Sequence, residues 1–317
     1  MTESGGAGEA IRLRALTAAR EDRAAVAELI YVSTNAWYQA NGRPPIFAGG
    51  PAATELFADV YEALDPGCCV LAESARTGRL MGSCFYHPRE THLSLGIMNV
   101  HPAYFGRGVA RRLLGHVTDL ADAQGKPVRL VSSAMNLDSF SLYTRAGFVP
   151  RCAYQDMLLP VPAGGLGQTV PGLERVRPAT PDDVAAIVAL ERELSGIARP
   201  GDYRHFLANE AGIWRLAVLE GADGLEGVLA SVAHPGSTML GPGVARSDAA
   251  AAALLLYQLD GMRGRSPVVL VPVASHELVG RVYAWGGRNC ELHFAQVRGV
   301  CPPFRGVTLP TFMPETG

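Results

Sequence analysis

The sequence predicts two tandem α+β domains, each a mixed, mostly antiparallel sheet flanked by helices. Three observations predict this. Strand-like and helix-like periodicities alternate in a similar order along both halves of the chain. Between the halves lies "PVPAGGLGQTVPGLE" (160–174), rich in Gly and Pro and without hydrophobic periodicity, the mark of a linker. The ends of the halves also match: "KPVRLVSSAMNLDSFSLYTRAGF" (126–148) aligns without gaps on "SPVVLVPVASHELVGRVYAWGGR" (266–288). Pro127 meets Pro267, Tyr143 meets Tyr283 and Gly147 meets Gly287, while "GRGVAR" (106–111) reads onto "GPGVAR" (241–246). A repeat this long points to a duplicated domain rather than a solenoid of short repeats.

The first half opens with a strand (11–16), followed by helices over about 21–38 and 54–63. Strands over 68–74, 80–87 and 92–100 come next, then a helix (108–124), a strand (127–134), a helix (138–146) and a last strand (148–159). The second half opens with "LERVR", then a helix (182–194), strands over 214–220 and 225–234, and a helix (248–262). The expected organisation is a tail over 1–10, a first domain over 11–160, a linker over 161–172 and a second domain over 173–317 ending in an extended arm.

Composition narrows the function classes. The 317 residues are 48% hydrophobic and 18% charged, a globular balance. A net charge of −2 gives no general surface for nucleic acid or membrane. Lys126 is the only lysine and so the only Schiff-base candidate. The six cysteines form no CxxC and no zinc spacing with histidine, and no metal site is expected. The N-terminal residues lack the pattern of a signal peptide, and no apolar run is long enough to span a bilayer. A reduced, cytoplasmic protein is expected, and its near-exclusive use of arginine fits a GC-rich bacterial genome.

"HPAYFGRGVARRLLGHV" (101–117) carries the sharpest chemistry. A buried-looking strand ends at Val100, and from Val109 the apolar residues recur at helical spacing. Glycines at a strand-to-helix turn let the backbone approach a ligand and aim several N–H groups at it. The helix dipole favours an anion there, and Arg107, Arg111 and Arg112 make sense beside one. No GK[ST] follows, and Arg111 stands where a dinucleotide fingerprint needs its third glycine. A structural turn with solvated arginines is the plain alternative.

Together, "VHPAYFGRGVARRLL" (100–114) and "NLDSFSLYTRAGF" (136–148) resemble the GNAT superfamily of acyl-CoA-dependent N-acyltransferases. The resemblance implies α/β/α-layered, GNAT-like domains and acetyl-CoA as acyl donor. Its pyrophosphate cradle, Arg/Gln-x-x-Gly-x-Gly/Ala, maps on Phe105, Gly106, Arg107, Gly108, Val109, Ala110 and Arg111. Phe105 replaces the leading Arg or Gln. The pantetheine arm would pair with strand backbone near Met98, Val100 and Ala134 and be anchored by Asn136. Tyr143 would give a proton to the departing thiolate, as a phenol protonated at neutral pH can.

The acceptor amine must lose a proton. His92, with Glu90 and His87 upstream, is the candidate base, because strand alternation turns His92, Ser94, Gly96, Met98 and Val100 to one face. Attack with a water relay is the alternative. The segment 35–54 is long enough to be a functional loop, and its Trp37, Tyr38, Arg43 and Phe47 are candidate acceptor residues.

The second half reads as a degenerate GNAT copy, retained for stability, dimerisation or closure of the acceptor site. Pro242 stands in place of Arg107, Ser247-Asp248 reads as a helix cap and first turn, and His276 and Arg288 replace Asn136 and Phe148. Tyr283 survives as a packing residue, and the terminal Pro-rich arm would lie over the first domain or a partner. The expected reaction is acetyl transfer from acetyl-CoA to a primary amine, of a small molecule or a peptide, by direct attack in a ternary complex. Two rivals remain: a donor carried on an acyl carrier protein, and a non-catalytic sensor of acyl-CoA or an amine.

Overall fold

The computed structural model describes residues 10–312. They divide into two compact units: the chain through His87 with Leu95–Gln124, and Pro88–Ser94 with everything from Gly125 onward.

The first unit holds β1 (Ile11–Ala15), α1 (Arg20–Ala40), α2 (Glu55–Leu64), β2 (Cys69–Ser74), β3 (Leu80–Pro88), most of β4 (Leu93–Val100) and α3 (Val109–Ala123). Its strands lie in the order β1-β2-β3-β4, with β2 antiparallel to both β1 and β3. The periodicity read in α3 puts Val109, Leu113, Leu114, Val117 and Ala121 in the core, each at most 2% exposed. Gly82 on β3 permits this seating, since a Cβ there would stand 2.8 Å from Asn99 O and 2.9 Å from Val109 Cγ1.

The second unit contains β5 (Val128–Ser133), α4 (Leu137–Arg145), β6 (Val149–Leu158), β7 (Val176–Pro178), α5 (Val184–Ser195), α6 (Pro200–Ala208) and β8 (Trp214–Gly221). Then come β9 (Gly224–His234), β10 (Ser237–Ala245), α7 (Asp248–Asp260), β11 (Val268–Pro272), α8 (His276–Ala284), β12 (Arg288–Arg298) and β13 (Val307–Leu309). α7 is apolar all round, and Ala250–Leu256 are buried without a break, so it forms the centre of this core. Each fully buried leucine there contributes roughly 1.5–3 kcal/mol.

The strand order is β5-β12-β6-β11-β10-β9-β8-β7, with β13 beside β10. The two halves of the sequence therefore exchange strands. β12 of the second half lies between β5 and β6, and β6 of the first half lies between β12 and β11. The registers repeat: Val128↔Arg298 and Val131↔Ala295 recur as Val268↔Leu158 and Val271↔Gln155, with the β5 and β11 residues 140 positions apart (268 − 128). This exchange is why the compact division falls at Gly125 and not at the expected linker. That stretch has no strand or helix before Leu173, yet Leu159 and Val161 bond to the backbone of Pro267 and Arg265 and are buried with Val170.

A second repeat lies in the ion pairs that blunt β1 and β7. Arg14 bonds Glu73 at 2.6 Å and clasps Asp22 at 2.7 and 2.8 Å. Arg177 bonds Glu220 at 2.6 Å and clasps Asp183 at 2.8 and 2.9 Å. The arginines hold both aspartates below the usual carboxylate range, Asp183 down to about 2.

Candidate active site

In the first unit, β4 ends at Val100, and His101 caps a short 3₁₀ turn over Pro102–Tyr104 by accepting from Ala103 N at 3.2 Å. Gly106 and Gly108 follow at φ +74° and +79°, the left-handed region that glycine enters without steric cost. Gly108 is the N-cap of α3. It offers no side-chain cap, and the first turn has no acidic residue, so the leading N–H groups have no side-chain acceptor. Nothing lies within 4 Å of a Cβ built on Gly106. Arg107 places its guanidinium 5.5 Å from the Tyr104 ring centre, and Phe105 is 54% exposed. Open backbone donors, a helix dipole and nearby arginines fit a pyrophosphate.

The expected acceptor residues divide. Trp37 and Tyr38, on α1, are half-buried with their rings edge to face at 5.0 Å, and Arg43 follows in the turn beyond the helix, its N–H bonded to Tyr38 O. Phe47 is a correction: it is 8% exposed and packs on Phe57, which leads to Tyr61 and Phe85. Asn35, overlooked in the sequence, fastens it: the Asn35 amide donates to Phe47 O and accepts from Phe47 N, both at 3.0 Å. The loop is therefore packed down at Phe47.

His92 is also corrected. Its ring is buried in the second unit with Nδ1 3.0 Å from the Thr91 hydroxyl. Burial, followed by the charges of Arg129, Arg199 and Arg89, holds its pKa well below the ordinary histidine value. A sealed ring in cationic surroundings is a poor collector of protons from an acceptor. His87, in the first unit, is likewise sealed, with Nδ1 2.7 Å from Asp65 and Nε2 against Gly96. Glu90 lies on the surface, bonded by Arg192 at 2.7 Å.

Asn136 and Tyr143 lie in the second unit, at the two ends of α4. The Asn136 side chain caps the helix by accepting from Ser139 N at 3.1 Å. Tyr143 is 6% exposed and packs on Phe148, and Gly147 at φ +88° turns the chain back so that Phe148 N reaches Tyr143 O. The Asn…Tyr…Gly-Phe spacing is thus a cap, a packed aromatic and a left-handed turn in one short helix.

The second half departs from its reading in three places. "GPGVAR" is not a glycine turn: Gly241–Ala245 lie inside β10, and α7 starts later, capped by Ser247 through Ala250 N at 3.2 Å. Tyr283 is not packed; it is 46% exposed and donates to Gln155 at 2.8 Å. The arm lies on its own half: β13 pairs with β10 from Gly243↔Leu309 to Ala245↔Val307. Residues 313–317, like residues 1–9 of the tail, lie outside the described residues. The expected helix cap at Ser247 and first-turn Asp248 are in place, and Asp248 also accepts from Leu278 N at 3.1 Å. A cavity of about 620 Å³ remains beside the arm, lined by Arg151, Cys152, Asp248, Ser275 and Phe304 among others.

β12, not read as a strand in the sequence, carries a polar cluster that was missed. Asp156 Oδ1 lies 2.9 Å from His293 Nδ1, and Glu291 accepts from the Ser133 hydroxyl. No short-range signal reports it, because the partners are more than 130 positions apart.

The acetyltransferase (GNAT) family model matches residues 31–148. That segment belongs to the GNAT family. The described chain as a whole has the fold of solved GNAT proteins. A Pyrococcus horikoshii protein described as an acetyltransferase superposes with a TM-score of 0.70 over 96% of this chain and 95% of its own, at 16% identity. A GCN5-related N-acetyltransferase from Sphaerobacter thermophilus gives 0.59 over 93% and 97%, at 20% identity. A tandem GNAT protein from the clavulanic acid biosynthesis pathway gives 0.58 over 91% and 98%, at 15% identity. In sequence, the chain is 30% identical over 102 residues to UPF0157 protein YqkA of Bacillus subtilis, matching 32% of this chain and 28% of that relative's length. Among the described residues, no helix is long and apolar enough to cross a membrane, and no group of three or more His, Cys, Asp or Glu is placed to hold a metal.

Proposed function

We propose that the protein is an N-acyltransferase that moves an acetyl group from acetyl-CoA to a primary amine, with one working donor site per chain. The carrying observation is the contrast between two helix starts. α3 begins at left-handed Gly108 with no side-chain cap and no acid in its first turn. α7 begins at Ser247, which caps it, with Asp248 directly after. The first start favours a phosphate and the second repels one. β13 adds to the contrast, because it takes up the edge of β10 just before α7 with the chain's own backbone.

By the resemblance, Gly106, Arg107, Gly108, Val109, Ala110 and Arg111 hold the pyrophosphate, Asn136 anchors the pantetheine arm, and Tyr143 protonates the leaving thiolate. A donor presented on a carrier protein is the second reading, favoured by the exposed apolar Phe105 in place of Arg or Gln. Calorimetric titration with acetyl-CoA tests the proposal. One site per chain, followed by thiol release with an amine acceptor, is expected. Two sites would overturn the contrast between the helices. No binding would move the donor to a carrier protein.

A further inference from the structure

Arg129 of β5 is 1% exposed, and among the described residues its Nε and Nη1 have no hydrogen-bond partner. A guanidinium is rarely buried without a counter-charge. Glu191, the carboxylate whose charge bears on it most, is already bonded by Arg199, through Nε at 3.2 Å and again through Nη2. Asp202, close to Glu191, lies 2.9 Å from Arg89 Nε. Gly196, at φ +70° just beyond α5, gives Arg129 its room: a Cβ there would stand 3.2 Å from Arg129 Nη2 and 3.1 Å from Pro302 Cγ. The Phe304 ring centre is 5.8 Å from the guanidinium carbon. Pro302 and Phe304 of the C-terminal arm thus close over the cation.

Cys301 begins that cover. It is half-buried, lines the cavity of about 620 Å³ beside the arm, and donates its thiol proton to Pro302 O at 3.4 Å. A negative charge on its side chain bears on Arg129 more strongly than Glu191 does. The cavity gives small solutes access to this wall, and the cation behind the wall lacks an anion.

We propose that Cys301 is a modification site for a peroxide, oxidised through the sulfenic acid to a sulfinate whose negative charge Arg129 holds. The inference is independent of acyl transfer. In the first step the sulfur electron pair bonds to one peroxide oxygen and the O–O bond breaks. The departing oxygen takes the thiol proton and leaves as water. A second peroxide repeats the step on the sulfenic acid, and each step takes two electrons from sulfur and gives them to the peroxide. The sulfinic acid ionises at neutral pH, so oxidation supplies the guanidinium with acceptor oxygens and a counter-charge.

The other thiols set the contrast. Burial pushes the Cys69, Cys84 and Cys152 thiols up, away from the thiolate that reacts. Cys290 is exposed, but its thiol donates to Asp156 O at 3.3 Å and the next residue is Glu291. Exposure alone selects Cys290, whereas a cation that holds the oxidised product selects Cys301.

Hydrogen peroxide in small excess over the full chain, followed by peptide mass mapping, separates the two. Cys301 is expected to gain oxygen about 10-fold faster than Cys290 or more, and to end with two added oxygens. In urea the two cysteines should react alike, because the preference comes from the fold. Arg129→Met should lower the Cys301 rate to that of Cys290. Circular dichroism reports whether that variant folds, and if it does not, the wild-type ranking and its loss in urea decide. Oxidation of Cys290 first, a preference that persists in urea, a disulfide from Cys301 to Cys152 in place of the sulfinate, or an unchanged preference in folded Arg129→Met would each overturn the assignment.

Discussion

Alanine at position 108 probes the proposed anion cradle most directly. Gly108 sits at φ +79°, and a Cβ there meets only Arg111 Nη2, at 3.7 Å. Space is available, so the penalty is conformational: a left-handed alanine costs about 1–2 kcal/mol. A domain of ordinary stability survives that loss, and the melting temperature should fall by a few degrees. The turn relieves itself by rotating toward negative φ, which swings the N–H groups of Val109 and Ala110 off the helix axis. One charge-assisted hydrogen bond contributes about 1.5–3 kcal/mol, so losing one should weaken acetyl-CoA roughly 10- to 150-fold. Calorimetric titration reads the affinity, and thermal melts run alongside report the strain. Gly106→Ala serves as the companion, because its φ is +74° and its Cβ would meet nothing within 4 Å. A Gly108→Ala protein that melts lower yet binds acetyl-CoA as tightly as before would refute the reasoning, since the turn would have changed without disturbing its supposed ligand.

Tyr143→Phe keeps the packing on Phe148 and removes only the hydroxyl, so turnover should fall about 10²-fold with acetyl-CoA affinity nearly unchanged; equal turnover would end its role as acid. His92 governs stability rather than rate. Its folded pKa lies well below 6.5 while the unfolded chain titrates near that value, so the unfolded state binds the extra proton. Stability is therefore fully present above pH 6.5 and lost as pH falls below it, by up to about 1.4 kcal/mol per pH unit from this residue. Urea midpoints on either side of that pH should show the loss, and His92→Asn should flatten it; an equal slope in the variant would contradict the assignment. A chain ending at residue 160 lacks β12, which leaves β5 and β6 without the strand between them, and it should be aggregated or unfolded by size-exclusion chromatography and circular dichroism. A soluble, folded monomer of that length would show that the exchange is dispensable.

Local chemistry was legible from the residues alone. The apolar spacing of α3, the Gly106–Gly108 turn, the Ser247 cap and the Asn136-to-Phe148 run are each written within a few positions, because helices, caps and left-handed turns depend on near neighbours. The duplication was legible too, from its 140-residue offset, though "GPGVAR" misled: a Gly-x-Gly reads alike in a turn and in a strand, and pairing with β9 and β13 decided for the strand. His92 and Phe47 were misplaced for a related reason. Alternation along a strand names two faces without saying which is sealed, and a long loop does not announce that Asn35 will fasten it.

By itself, then, the sequence determined the family segment, the glycine helix start in the first half and the capped helix start in the second. Only the tertiary structure decided which strands pair. Hydrogen bonds between β5, β12, β6 and β11 join residues from opposite ends of the chain, and no local propensity encodes a partner that far away. That pairing places His293 and Glu291, from near the end of the chain, beside Ser133 of the first half.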